Sequence, residues 1–554
     1  NNKGDEIDPD NLPLAAATAM RPSVHGDVVH SRPVAINFGA PTDDSPKVVV
    51  FYGGNDGVLR AVNGNRIASI GSVPAGHEMW SFIAPEFYPY IKRLRDNNTQ
   101  ITFLGNTTTT PAPQPKPYGF DGPLTSYVHA GDTWIFGGMR RGGRMIYAFD
   151  VSDITDDPDS PALKWRLGCP NLDDDVGCTS VDITDIGQTW SSPTVLKASG
   201  YFDVVSIAGV DTNVPKPMLI MGGGYDSCED ADPNTCTSAD KGNRIYVLDA
   251  NTGAVLRTFD TDRGVVGDVF VVTNRTTGLA QWAYAADLGG NIYRISGVNA
   301  NTALASTAPG SWTITKIAAL GCNNTATCTA NRKFMFAPDV VVEPAPNSGT
   351  HILLIGSGDR EKPLRDYTSA YGVSNYFFML KDVPTDSTWL ATNMGTCPSA
   401  NVMCLDSLYG ITGSDDPVAA DLANKKGWYL GLNAHEQVVT SAITVFGGTT
   451  FSTHTPTVPD PDACASDLGT ARVYNLRYNN AAPSKPNATN RYEEIRGGGL
   501  PPSPVAGQVK LDGDGPIVPF IIGADPRSPL EGGLPVPPSL TTLPKSITYW
   551  YIEK

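Results

Sequence analysis

The stretch YGGNDGVLRAVN, Tyr52 to Asn63, decides the fold: a glycine-rich turn leads into a strand of alternating large residues, which ends in a polar turn. Glycine admits positive φ and close backbone approach at a hairpin, while alternating residues give a sheet two faces to pack. The same unit returns as FGGMRRGGRMIYAFDVSD at Phe136 to Asp153 and as MGGGYD with GNRIYVLDANTG across Met221 to Gly253. It recurs as YAADLGGNIYRISG at Tyr284 to Gly297, IGSGDREKPL with NYFFMLKD across Ile355 to Asp382, and GWYLGL at Gly427 to Leu432, with a shorter echo ARVYNL at Ala471 to Leu476. Repetition at this length means a propeller or a solenoid, and the irregular intervals fit blades carrying insertions rather than a solenoid of fixed rise. The expected fold class is all-β. Thr107 to Gly122, Pro384 to Asp421 and Ala481 to Pro504 are rich in Pro, Thr, Asn or Asp and read as inserted loops.

Short runs of β-branched, aromatic and aliphatic residues predict strands at Val48 to Tyr52, Met218 to Met221, Arg244 to Leu248, His351 to Ile355 and Val438 to Phe446. Segments near Val28 to Ile36 and at Ile547 to Ile552 are expected to help close the ring. Helical signal is weak. Its best instance is Ala84 to Arg95, where Pro85 suits a first turn and Phe87, Ile91 and Leu94 recur near a 3.6 period, with Pro89 counting against it.

The composition agrees with many strands joined by turns: of 554 residues, 56 are Gly and 45 Pro, and hydrophobic residues make up 40%. A formal net charge of -16 leaves no basic footprint for phosphates, so neither a nucleic-acid groove nor an anionic membrane surface is expected as a partner. No run approaches the 18 or so apolar residues of a transmembrane segment. The polar, acidic start, Asn1 to Asn11, reads as a fragment or mature region whose export or anchoring signals lie outside it.

Eight of the nine cysteines form close pairs, Cys169 with Cys178, Cys228 with Cys236, Cys322 with Cys328 and Cys397 with Cys404, leaving Cys464 alone. Local disulfides and metal ligation both use such spacing. No CxxC knuckle or CxxCH haem motif occurs, and the intervals are filled with Asp, Asn, Thr and Ser, which favours stapled loops and an oxidising compartment. The seven histidines, at 25, 30, 77, 129, 351, 435 and 454, show no metal-binding spacing and read as structural. Neither a GxSxG elbow nor a P-loop is present, so no catalytic, cofactor-binding or metal-binding residue is assigned and no cofactor is expected. The acidic clusters Asp173 to Asp175 and Asp226 to Asp232 read as solvated surface in preference to calcium sites.

Several motifs, in order, carry a resemblance. GDVVHSRP at Gly26 to Pro33, VFYGGNDGVLRAVN at Val50 to Asn63, HEMWSFIAPEF at His77 to Phe87, FAPDVVV at Phe336 to Val342, GSGDREKPL at Gly356 to Leu364, GWYLGLNAHEQVVTSAITVFGGTTFSTHTP at Gly427 to Pro456 and CASDLGTARVYNL at Cys464 to Leu476 resemble the C-terminal region of the PilY/PilC family of type IV pilus tip proteins. The resemblance spans roughly residues 21 to 480. It implies a modified seven-bladed β-propeller over 21 to 554, with 1 to 20 following a longer N-terminal half. It also implies action with minor pilins at the pilus tip, in pilus assembly, opposition to retraction, twitching motility and adhesion to host or abiotic surfaces. Location at the bacterial cell surface after export through the periplasm follows from the same resemblance.

Two family features are absent. No RGD tripeptide occurs. The calcium loop of many members, DxDxDGxxD before the YAGDL-like strand, falls at Thr273 to Gln281, TNRTTGLAQ, where Thr273, Arg275, Thr277 and Gln281 replace the acids and only Gly278 is kept. Calcium takes six to eight oxygen ligands, several of them anionic for high affinity, so loss of the site is expected. Asp260, Asp262 and Asp268 lie upstream as substitute ligands in the wrong order. Two other readings stand beside the adhesin: a purely structural pilus-assembly scaffold, and a quinoprotein-dehydrogenase propeller, which RIYVLDANTGAVLRTF at Arg244 to Phe259 also resembles. The vicinal Cys-Cys pair and haem motif of those enzymes are missing.

Overall fold

The strand Arg244–Asp249 buries both of its faces. Tyr246 and Leu248 pack with Phe136, Ile146 and Trp165 of the preceding sheet. Ile245 and Val247 point the other way, toward Ala283, Ile295 and Trp312 of the following sheet. Side chains alternate across a strand, so six residues with no polar face need a sheet on either side, each fully buried large side chain contributing roughly 1.5–3 kcal/mol. Sheets of this kind stack in series, and a closed series is a propeller.

In the computed structural model the described residues are 25–533 apart from 40–45, 97–98, 103–109, 111, 208, 238–239, 345–348, 414–415, 459–467, 486–487, 511–516, 524 and 528–531. Among the described residues seven sheets follow one another along the chain, and a two-stranded hairpin, Phe202–Ile207 with Val210–Pro215, is inserted in the third. The first contains Val34–Asn37, Val48–Gly53, Val58–Asn63 and Glu78–Ile83; the second Leu124–His129, Asp132–Gly138, Arg144–Asp150 and Ala162–Cys169. The third contains Thr194–Leu196, Met218–Gly222, Arg244–Asp249 and Val255–Asp260; the fourth Phe270–Thr273, Ala280–Ala286, Asn291–Ser296 and Thr313–Ala319. The fifth runs Asp339–Val342, His351–Gly356, Tyr376–Asp382 and Gly427–Gly431, with Tyr409–Ile411 added in parallel at its edge. The sixth is built on Gly448–Thr455, Thr470–Arg477 and Tyr492–Ile495, and the seventh on Val505–Lys510, Ile517–Ile522 and Gly532–Gly533. Each first strand touches the first strand of the next sheet, which places these strands on the inside of the ring. Five apolar layers fill the spaces between the first six sheets.

Four of the five strand expectations match to within one residue. Val438 to Phe446 does not: it splits into Gln437–Val438 and Ile443–Val445. Between them the backbone leaves the ladder, so that the Val439 carbonyl accepts from Arg360 at 2.6 Å and the Ser441 N–H donates to Ser503 at 3.2 Å, while Thr440 Oγ1 takes the Ser452 N–H. The strand expected near Val28 to Ile36 is reduced to Val34–Asn37, and Ile547 to Ile552 lies outside the described residues. Two expected loops contain strands, Tyr409–Ile411 and Tyr492–Ile495, both too short to leave a period in the sequence. The helix candidate becomes a 3-10 turn, Pro85–Phe87, and an α-helix, Tyr88–Asp96. Pro89 sits in the first helical turn, where a missing N–H costs nothing. Gly57 has φ of 88°, and a Cβ there would fall 1.9 Å from the Phe87 ring, so this turn requires glycine.

All four close cysteine pairs are disulfides. Cys464 lies outside the described residues.

The fourth and fifth sheets are joined by a buried polar cluster. Asp382 accepts from Arg294 at 2.6 and 2.7 Å and from the Tyr284 hydroxyl at 2.7 Å. That hydroxyl is also 2.7 Å from His351 Nδ1, so with its own proton given to Asp382 it accepts from a neutral imidazole protonated on Nδ1. Burial pushes His351 down to about 4, with Asp382 opposing and Arg294 assisting. A depressed imidazole favours the folded state above the unfolded value near 6.5 and loses that contribution as pH falls toward about 4. The expected stability difference between wild type and His351→Gln therefore shrinks by on the order of 3 kcal/mol from pH 7 to 4, measured by urea unfolding. A pH-independent difference would contradict the neutral assignment.

Candidate functional site at the mouth of the ring

In the first five sheets the turn between the second and third strands emerges at one end of the ring, and the segment entering the first strand begins there too. The first five repeated motifs of the sequence include those turns, whereas GWYLGL and ARVYNL are strands of the fifth and sixth sheets. In the first sheet, Asp56 accepts from Arg60 at 2.6 and 3.1 Å and from the Gly26 N–H at 3.1 Å. In the fourth, Asp287 is fully buried and accepts from the N–H groups of Arg263, Gly289 and Asn291, the Asn291 amide and the Tyr293 hydroxyl. Burial nevertheless pushes its carboxyl up to about 6.

The turns of the second, third and fifth sheets reach further. Arg141, in the 3-10 turn Arg140–Gly142, lies 2.7 Å from Glu361 of the fifth sheet and 3.1 Å from Asp230 of the third. Arg140 lies 3.3 Å from Glu361 and 3.8 Å from Asp121, which also holds His30 at 2.7 Å. The second and fifth sheets are not neighbours in the ring, so the Arg141–Glu361 pair crosses its axis. A second crossing joins Arg32, ahead of the first sheet, to Asp268, ahead of the fourth, at 2.6 Å; Asp268 also takes the Ser192 N–H at 2.7 Å. Trp190 and Tyr225 stack at 4.3 Å, and the Arg140 guanidinium lies 4.0 Å from the Trp190 ring centre. Burial opposes ionisation of Glu361, but Arg140 and Arg141 outweigh it and hold its carboxyl below the usual range.

The loop carrying the Cys228–Cys236 disulfide lies over this plug and is tied to the fourth and fifth sheets. Glu229 pairs with Arg263 and, at 2.8 Å, with Lys333; Lys362 donates to the Ala231 carbonyl at 2.6 Å. Asp232 accepts from the N–H groups of Ser369 and Ala370 at 2.8 and 3.1 Å.

The acidic clusters are thus absorbed into the scaffold. Asp175 pairs with Arg144 and Lys241 at 2.8 and 2.9 Å, while Asp226, Asp230 and Asp232 brace the stapled loop. Among the described residues, the two groupings with metal-type ligands each include two sulfurs already bonded to one another. Asp260, Asp262 and Asp268 serve three different partners, Arg244, Lys316 and Arg32. The hairpin at 273 to 281 forms from its own residues: Asn274 Oδ1 accepts from the N–H groups of Thr276 and Thr277, and Gly278 supplies a φ of 68°. Sequence reading did not single out Arg140, Arg141 or Glu361, although each stands in a quoted repeat. The available signal was a charge of opposite sign inside equivalent glycine turns of two blades.

Residues 124–320 match the family described as the PilY1 beta-propeller domain. The ring is a β-propeller, and its second to fourth sheets are similar to that domain. Its sequence is 27% identical over 303 residues to the type IV pilus biogenesis factor PilY1 of Pseudomonas aeruginosa strain UCBPP-PA14, covering 50% of this chain and 21% of that protein. The PilY1 of strain PAO1 is 24% identical over 302 residues, with the same coverage. The matched segment therefore spans about a fifth of these relatives. The crystal structure of the Pseudomonas aeruginosa PilY1 C-terminal domain superposes with a TM-score of 0.52 at 16% identity, over 86% of this chain and 90% of that one, a likeness of fold.

Removing the negative charge at the plug leaves two buried guanidinium groups opposed by fewer carboxylates. Glu361→Gln is expected to destabilise the propeller by about 3–5 kcal/mol in urea unfolding. A change below about 1 kcal/mol would show that the crossing pair behaves like a solvated surface pair.

Proposed function

We propose that this chain is the propeller part of a type IV pilus biogenesis factor. The match of residues 124–320 to the PilY1 propeller domain carries this reading. On it, residues 21–554 form one unit that acts with minor pilins at the pilus tip, supports assembly, opposes retraction and contributes to attachment to host or abiotic surfaces. Four disulfides suit passage through an oxidising periplasm to the cell surface. Among the described residues no helix is long and apolar enough to cross a membrane. The charge crossings and the stapled loop favour a load-bearing role over catalysis, because the mouth, a natural place for a cofactor, is filled by Arg140, Arg141 and Glu361.

The test is complementation in a piliated bacterium lacking its own PilY1-type protein. The full-length protein containing this propeller is expected to restore surface pili and twitching, and the same protein with the propeller deleted is not. Equal restoration by both would overturn the reading. Normal piliation with loss of surface attachment in a propeller variant would assign the region to adhesion alone.

The turn at 273 to 281 is proposed to work without calcium, since it offers no carboxylate and places Arg275 at its centre. Calorimetric titration with calcium is expected to show no site that substitutions in 273 to 281 abolish. A micromolar site lost on such substitution would refute this.

A further inference from the structure

The hairpin Phe202–Ile207 with Val210–Pro215 connects the first and second strands of the third sheet, at the end of the ring opposite the mouth. It is a sheet of two strands, and among the described residues neither strand pairs with any other. Residues 202–206 and 209–213 are exposed, Val204 at 61% and Val210 at 66%. A two-stranded ribbon on its own is marginal in water, and further strands are what stabilise such a sheet.

The two edges of the hairpin are not equivalent. Ile207 pairs with Val210 with two residues between them; a closing pair of this kind is hydrogen-bonded, and bonded and non-bonded pairs alternate from there. Phe202, Val204 and Ser206 therefore aim their backbone N–H and C=O groups away from the hairpin, and so do Asp211, Asn213 and Pro215 on the other edge. The second edge is blocked, because Pro215 has no N–H to give and Asp211 brings a charge. The first, FDVVSI, holds neither proline nor glycine, and its one charge, Asp203, has Lys216 of its own chain at 3.6 Å.

The open edge is complementary to itself. Antiparallel pairing about a two-fold axis at Val204 sets Val204 against Val204 of a second copy, Phe202 against its Ser206 and Asp203 against its Val205. Each outward backbone group then has a partner, and no two carboxylates face one another. Val205, Val210 and Val214 lie on one face of the hairpin, so the joined sheet gathers the valines of both copies on a single face. With the Pro215 edge at either side, the assembly closes at two copies and does not grow into a fibre.

We propose that the chain dimerises by antiparallel pairing of Phe202–Ile207 with the same strand of a second copy, giving a closed four-stranded sheet. The inference does not rest on the pilus reading, and its test reads self-association of the chain alone, so either can fail without the other. A strand of six residues covers less than the roughly 1,200 Å² of a standard stable interface, so dissociation in the micromolar range is expected.

Sedimentation velocity of the 554-residue chain is expected to show conversion of monomer to dimer between about 1 and 200 µM. Val204→Pro removes an outward N–H that the hairpin itself does not use, and Val204→Lys sets two ammonium groups face to face across the axis. Each is expected to weaken the dimer by about tenfold or more while the circular dichroism stays that of wild type. Asn213→Pro, the equivalent change on the blocked edge, is expected to leave the dimer unaltered. If Val204→Pro fails to fold, Val204→Lys decides. A chain that stays monomeric throughout that range, or a dimer indifferent to the Val204 variants, would overturn the proposal.

Discussion

Two-faced burial of the strands is the constraint on which the structure depends. In Arg244–Asp249 every residue after Arg244 is buried, and Met218–Gly222 and His351–Gly356 are buried from end to end. A sheet made of such strands has no stable isolated form, so each blade is held by the next and the series has to curve into a ring. That places a row of tight turns at one end. Glycine at positions such as Gly57 permits the turns to pack against side chains that a Cβ would displace.

Once the turns of successive blades are gathered at one mouth, side chains far apart in sequence meet across it. Arg141 and Glu361 are separated by 220 positions, and Arg32 and Asp268 by 236. Charges in so enclosed a place are costly unless opposed, and each has partners: Glu361 has two guanidinium groups, and Arg141 has Asp230 as well. The stapled loop adds a covalent constraint to the same region. Its carboxylates are committed to Arg263, Lys333 and the amides ahead of the fifth sheet's third strand, which links three consecutive blades outside their apolar layers. Such cross-linking opposes separation of the blades.

Cations at the mouth use carbonyls as well as carboxylates: Arg360 donates to the Val439 carbonyl at 2.6 Å, and Lys362 donates to the Ala231 carbonyl at 2.6 Å with Asp359 at 3.7 Å.

The sequence by itself determined the all-β class, the repeat, four strand positions and the cysteine pairing, because each is written in local spacing: period two, glycine turns and short intervals between thiols. It also determined the chemistry missing from 273 to 281, since ligand types are read directly from residues. Only the tertiary structure decided where the acids go. Asp260, Asp262 and Asp268 stand close together in sequence yet turn to Arg244, Lys316 and Arg32, and Asp226 to Asp232 brace a loop whose partners come from other blades. The split of Val438 to Phe446 was hidden for the same reason: Arg360 and Ser503 pull its backbone off the ladder, and neither lies nearby in the chain. Local patterns record which face a residue buries, but closing a ring chooses which distant charge it meets, and that choice depends on blade order rather than on any neighbouring residue.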